Sequence, residues 1–409
     1  MPRSLVSRLL APLFALLSVS SLQAQSLETQ DLNDWASIET RAKGQTVYWN
    51  AWGGDANTND YIDWVSQQMQ SRFDIDVVHV KLGDTAEAVS RVLAEKAAGN
   101  DEDGAIDLIW INGENFAAMK KNGLLYGPWA EQLPNFALTA PDDNPEMRSD
   151  FTLPVEGLEA PWGKAQITFY YDSDRVESPP KTMRELLEWA RNNPGRFTYP
   201  LVPDFLGSTF LKQALLGLID DPAPLYAPVN EANFENVTAP LWDYLDALHP
   251  NLWRSGQSFP NSGSALRQLM GDGELSLAFT FNPLEPAAAM ADYQLPPSTR
   301  SYVLDDGTLG NVHFVAIPFN ASHKTGALML ANFLLSPEAQ AHKQDIEVWG
   351  DATVLALDTL SEKQRQAFAT LPDNPATLPI EALQRTLAEP HPSWMERLEQ
   401  EWLTRYGTR

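Results

Sequence analysis

The residues able to do chemistry sit in loops that follow short apolar runs. The first reads Trp49-Asn50-Ala51-Trp52-Gly53-Gly54-Asp55. A second, Asn112-Gly113-Glu114, ends the run Ile106 to Ile111. A third joins Asp204 to Gly207-Ser208-Thr209, and a fourth carries Asn282 and Glu285 behind Leu275 to Phe281. Carboxylates beside indole faces suit a cation or a heteroaromatic ring, and the same faces suit sugars. Hydroxyls and free amides at a helix start suit an anionic or carbonyl group. Together these groups describe recognition of a small polar molecule. Each loop alone is equally explained by turn and capping chemistry, and Trp49 by core packing.

Catalytic templates mostly fail. The chain has no cysteine, so thiolate zinc sites and cysteine nucleophiles are excluded. The six histidines are scattered and form no paired metal-ligand motif. No Gly-x-Ser-x-Gly elbow occurs. Gly271-Asp272-Gly273 reads as a turn. Asp55, Asn57 and Asn59 imitate the opening of a calcium loop, but Asp60 stands where glycine is needed and Ser66 where the bidentate glutamate belongs. No cofactor and no metal are expected. One enzymatic alternative stays open: Glu114 and Glu285 as the carboxylate pair of a glycosidase.

The elements that must position these loops follow from periodicity. Thr46 to Trp49, Ile75 to Val80 and Ile106 to Ile111 read as buried strands. Between them lie helical stretches, Asn59 to Arg72 and one capped by Asp84 with Glu87 three residues on. Strand and helix in alternation predict a parallel sheet with right-handed crossovers. In such sheets ligands bind beyond the carboxyl ends of the strands, where these loops lie. Further along, Thr182 and Glu185 form a capping box, Tyr199 to Val202 reads as a strand, and Phe210 to Leu218 as an apolar helix. Val312 to Ile317 is a late strand, and Ser336-Pro337 starts a helix. The region from Ser361 is mostly helical.

The N-terminus and the charge bound the setting. Arg3 and Arg8 precede an apolar stretch, Leu9 to Val19, and a small residue at Ala24, the layout of a cleaved signal peptide over residues 1–24. The stretch is too short to span a bilayer. Without a cysteine no lipid anchor can be attached there, so the mature chain is expected to be periplasmic and not a lipoprotein. The net charge of −25 argues against nucleic acid and anionic membranes as partners. The 44% hydrophobic content of 409 residues allows more than one packed core.

Several segments, taken in order, resemble the periplasmic solute-binding proteins of ABC importers, the two-lobed type II. Pro179-Pro180-Lys181-Thr182 through Glu188-Trp189-Ala190 and then Asn193-Pro194-Gly195-Arg196-Phe197 is similar to the opening of their second lobe. Val315-Ala316-Ile317-Pro318 and Ala331-Asn332-Phe333-Leu334-Leu335-Ser336-Pro337-Glu338 resemble their return segment. Trp-Asn-Ala-Trp-Gly-Gly at Trp49 to Gly54 resembles the YnjB-type branch, near the thiamine, polyamine and iron binders. The resemblance implies two α/β lobes, each a mainly parallel sheet flanked by helices, joined by crossing hinge strands. Lobe one would hold 27–170 and 312–350; lobe two would hold 171–311 and 351–409 with the C-terminal helices. Crossings are expected near Phe169 to Asp172, Val312 to Ile317 and Trp349 to Ala352. Trp162, Tyr171 and Trp349, lying near them, join the expected ligand-binding residues. Tyr170-Tyr171 resembles the tyrosine pair of ferric-iron binders, although neighbours on a strand face opposite ways. The implied protein is no enzyme. It is a monomeric receptor for a cationic or heteroaromatic solute, thiamine-like or polyamine-like, with an ABC permease and ATPase as partners and no insertion into the membrane. A thiaminase-like transferase on the same scaffold, a sugar receptor and an iron receptor are the alternatives.

Overall fold

A computed structural model describes residue 32 and residues 34–369, 372–379, 382–383 and 386–407. The signal-peptide expectation falls on residues 1–24, outside the described residues. Helix α1 (Trp35–Ala42) leads into β1 (Thr46–Trp52), α2 (Ala56–Phe73), β2 (Asp76–Leu82), α3 (Ala86–Ala97), β3 (Leu108–Ile111) and α4 (Gly113–Lys121). β1 pairs in parallel with β2 and with β3, as the alternation of strand and helix predicts. The Asp84 box forms only in half: Glu87 Oε1 accepts from the Asp84 amide at 3.2 Å, but Asp84 Oδ1 takes the Ala86 amide at 2.8 Å, and Thr85 holds the N-cap position without a side-chain bond. A small hairpin, β4 (Ser149–Asp150) and β5 (Leu153–Pro154), precedes β6 (Glu159–Gln166).

The chain then leaves this sheet. β7 (Thr168–Asp172) belongs to another layer, followed by α5 (Met183–Asn192), α6 (Phe205–Leu218), α7 (Phe234–Leu248), α8 (Gly263–Gly271), β8 (Leu277–Thr280), α9 (Glu285–Ala291) and β9 (Thr299–Tyr302). The long strand β10 (Thr308–Ala316) returns, antiparallel to β6 along its length and to β3 at its end. After it come α10 (Lys324–Leu334), α11 (Pro337–Gln344), α12 (Glu362–Ala369), β11 (Thr386–Leu387) and α13 (Pro392–Tyr406).

Two large hydrophobic cores result, with a small third cluster of Ala287, Ala288, Ile346 and Ala376. One runs from Leu32 to Trp162 and resumes at Val312; the other begins at Ile167 and includes Leu309. The chain thus changes core between Trp162 and Ile167 and again between Leu309 and Val312. Residues 351–409, expected with the second lobe, divide: Val354, Leu355, Leu360 and Phe368 pack in the first core, and Trp394, Leu398, Trp402 and Tyr406 in the second.

Three expectations are corrected. The second sheet, ordered β8-β7-β9, is antiparallel and not mainly parallel. Tyr199 to Val202 is no strand: Pro200 has no amide to donate to a ladder, and the Leu201 amide bonds singly to Pro260 O at 2.7 Å. The apolar helix starts at Phe205, five residues before Phe210, so Gly207, Ser208 and Thr209 lie inside it.

Candidate ligand-binding cleft

The predicted loops meet between the two cores in two groups. At one end Asp55 caps α2, accepting from the amides of Asn57 at 3.0 Å and Thr58 at 3.4 Å. Its other oxygen accepts from Arg267 Nη2 of α8 at 2.6 Å. Arg267 Nη1 donates to Glu285 Oε1 at 2.5 Å, and Glu285 Oε2 accepts from the Thr280 hydroxyl. Burial opposes the Arg267 charge, but Glu285 and Asp55 hold its pKa above the ordinary value. Ser264 Oγ donates to Gly54 O at 3.2 Å, and Asn57 Nδ2 to Asp292 Oδ2 at 2.9 Å. A cavity of about 470 Å³ opens on the same face of α8, lined by Ser264, Arg267, Gln268, Asp272, Tyr293 and Gln294 among others.

At the other end the carboxylates have no such partner among the described residues. Glu114 stands in the first turn of α4 and Asp84 in the loop before α3. Asp204 caps α6 through Oδ1, to the amides of Leu206 at 3.0 Å and Gly207 at 3.4 Å. Glu399 comes from α13, which packs against both α4 and α6, and it accepts from Ser208 Oγ at 2.6 Å. Burial pushes Glu114 up to about 7, with Glu399 and Asp84 adding to the rise. Burial, with Asp84, also pushes Asp204 up to about 6 and raises Glu399. Lys212 acts in the opposite sense on Glu114 and Glu399. Its ammonium is spent on Glu389 Oε2 at 2.7 Å, in a pair shut off from solvent. Carboxylates from both lobes therefore act on one another here, with no salt bridge to any of Asp84, Glu114, Asp204 and Glu399 among the described residues.

α4 is anchored from behind. Gly113 adopts φ +59° under the Phe151 ring, where a Cβ would come within 2.7 Å, so only glycine fits. Its amide donates to buried Asp150 Oδ2 at 2.6 Å. Glu159 beside Asp150 is fully buried, with no hydrogen-bond partner for either oxygen. Burial, with Asp150 beside it, raises its pKa well above the ordinary range.

Other predicted residues fall elsewhere. Trp49, Trp162 and Trp349 come together, but inside the first core, with Trp49 and Trp162 rings 5.4 Å apart and Trp162 and Trp349 5.5 Å apart. Around them sit Tyr61, half-buried Trp110, and a buried set in which Asp351 bonds Lys343 and, at 3.2 Å, His313. Asn50 is buried, its Oδ1 without a partner. The Trp52 ring lies on Gly54, where a Cβ would come within 2.5 Å, and Gly53 leaves room for Lys81. Asn112 takes the N-cap position of α4 without a side-chain bond. Gly207 lets α6 approach Pro200 O, 2.4 Å from where a Cβ would stand. Thr209 is buried, its hydroxyl without a partner. Asn282 Oδ1 caps the Leu284 amide at 3.0 Å, a turn role. Tyr171 packs on Tyr302, while Tyr170 is buried in the second core, so the two tyrosines share no site. The helix-start reading of Gly207-Ser208-Thr209 as an anion cradle is corrected: the Gly207 and Ser208 amides both bond Asp204. Sequence reasoning missed Arg267, Lys212 and Glu399, which lie on ordinary amphipathic helices and carry no motif. It noticed Asp84 only as a cap.

Residues 64–356 match the model of a family described as bacterial extracellular solute-binding protein. The chain belongs to that family. A curated relative, Protein YnjB of Escherichia coli (strain K12), is 46% identical over 396 residues, covering 97% of this chain and 98% of the relative. Among solved structures, a putative spermidine/putrescine ABC transporter from Listeria monocytogenes superposes with TM-score 0.62 at 18% identity, covering 89% of this chain and 99% of that one. The periplasmic binding protein AfuA from Actinobacillus pleuropneumoniae, solved with fructose-6-phosphate bound, gives 0.60 at 15% identity, covering 89% and 99%. This solute-binding protein therefore has the two-lobed type II fold of periplasmic binding proteins, and its family is one of binding proteins, not enzymes. Glu285, engaged by Arg267 and Thr280, is accordingly no half of a glycosidase pair with Glu114. Among the described residues no helix is long and apolar enough to cross a membrane.

Proposed function

We propose that this protein is the periplasmic receptor of an ABC importer. It takes up a small cationic solute, polyamine-like or thiamine-like, between its lobes and hands it as a monomer to a membrane permease driven by an ATPase. One observation carries the choice of a cation: α13 of the second lobe, bearing Glu399, packs on α4 of the first, bearing Glu114, so that carboxylates of the two lobes act on one another, and Lys212, which acts on both, is already paired with Glu389. A positive solute touching both sides would relieve the repulsion and favour the closed form, because only closure brings both sets within reach. The family supports the receptor role, and the absence of cysteine supports a chain without a lipid anchor.

The test is a thermal-shift screen with putrescine, spermidine and thiamine against GABA and fructose 6-phosphate. At about 100 times its dissociation constant, a true ligand adds about 2.7 kcal/mol of stability. A shift with one of the cations is expected. A shift with fructose 6-phosphate alone, or none with any cation, would overturn the cationic reading.

A further inference from the structure

We propose that Arg267 is a built-in latch that holds the two lobes shut when no solute is bound. The guanidinium is anchored on α8, whose Leu266 and Met270 belong to the second core. Its cross-lobe partner, Asp55, starts α2 of the first lobe, 2.6 Å away. Glu285, of the same lobe as Arg267, is fixed by Thr280 and aims the guanidinium, so little side-chain freedom is lost on closure. Two neutral bonds, Ser264 to Gly54 O and Asn57 to Asp292, cross the same seam beside it. The Arg267 and Asp55 side chains are each only 14% exposed, which takes the bridge out of the weak class of surface pairs. The inference goes beyond the importer reading, since it concerns the empty protein and needs no solute.

Small-angle X-ray scattering on the solute-free, full mature chain tests it. The wild type should match the profile calculated from this structure. Asp55→Asn should shift to a larger radius of gyration: its amide oxygen still caps α2, but the charge facing Arg267 is gone. Arg267→Met should open equally, Arg267→Lys less, and Glu285→Gln least, because the cross-lobe bond survives there. Melting temperatures separate opening from unfolding; if Arg267→Met does not fold, Asp55→Asn decides. A solute-free wild type that already scatters as an open form would overturn the latch. So would Asp55→Asn with an unchanged profile. Either result leaves the thermal-shift screen, and with it the importer reading, untouched.

Discussion

The two ends of the cleft carry the same chemistry and come to opposite outcomes. At one end Asp55 and Glu285 converge on Arg267, a cation supplied by the chain. At the other, Asp84, Glu114, Asp204 and Glu399 form no salt bridge among the described residues, and Lys212 is committed to Glu389. A carboxylate between two lobes is thus either a closing device or a ligand group, and the difference lies in whether a countercharge is already there. Burial, and after it the neighbouring carboxylates, raises Glu114, Asp204 and Glu399 where no cation is bound to them. Asp55, given an arginine by the other lobe, ties the two lobes to one another.

The largest expected effect exploits this difference directly. For whichever of putrescine, spermidine and thiamine binds the wild type, Glu114→Gln and Glu399→Gln should each weaken binding by about 2–5 kcal/mol, at least about thirtyfold, in calorimetric titration. Arg267→Met should weaken it less than about tenfold, through loss of the preformed closed state alone. If the order is reversed, the assignment of the two ends is wrong.

A second effect is smaller and concerns pH. Binding of a cation draws protons off Glu114, at about 7 when free, and Asp204, at about 6. Affinity should therefore rise between pH 6 and 8, and calorimetry in buffers of different ionisation heat should record proton release. The unliganded protein should move the other way. Glu114 has its pKa raised from 4.5, so the stability it contributes is complete below that value and is lost as pH rises through about 7. Glu114→Gln should flatten both curves.

How much of this the amino acids disclose in advance depends on the range of the interaction. Capping is local, so the Thr182 and Ser336 starts and the parallel β1, β2 and β3 can be read directly. So can the glycines beneath Trp52 and Phe151, as loop residues if not as the contacts they make. What stays hidden is long-range. Arg267 is 212 residues from Asp55, and Glu399 is 191 from Ser208; no spacing rule connects either pair. The tryptophans mislead for a related reason. An indole at a strand end packs against a core or a ligand with the same surface, and only the fold places Trp49 against Trp162. The second sheet misleads too: β7, β8 and β9 are separated by helices, the pattern of a parallel sheet, yet they pair antiparallel.

The smallest expected effect separates two roles within one residue. Asp204 both caps α6 and is raised in pKa by burial, with a smaller contribution from Asp84 of the other lobe. Asp204→Ala removes cap and charge, and should cost about 0.5–2 kcal/mol in the unliganded protein, read by urea unfolding. Asp204→Asn keeps the cap acceptor and loses only the charge, so its unliganded stability should stay within a few tenths of a kcal/mol. If Asp204 belongs to the cation site, both variants must weaken cation binding alike, since only the charge matters there. If Asn restores binding as well as stability, Asp204 is a helix cap and the ligand end of the cleft reduces to Asp84, Glu114 and Glu399. The comparison between the two ends would survive that result, because those three still come from both lobes and still lack the cation that Arg267 supplies to Asp55 and Glu285.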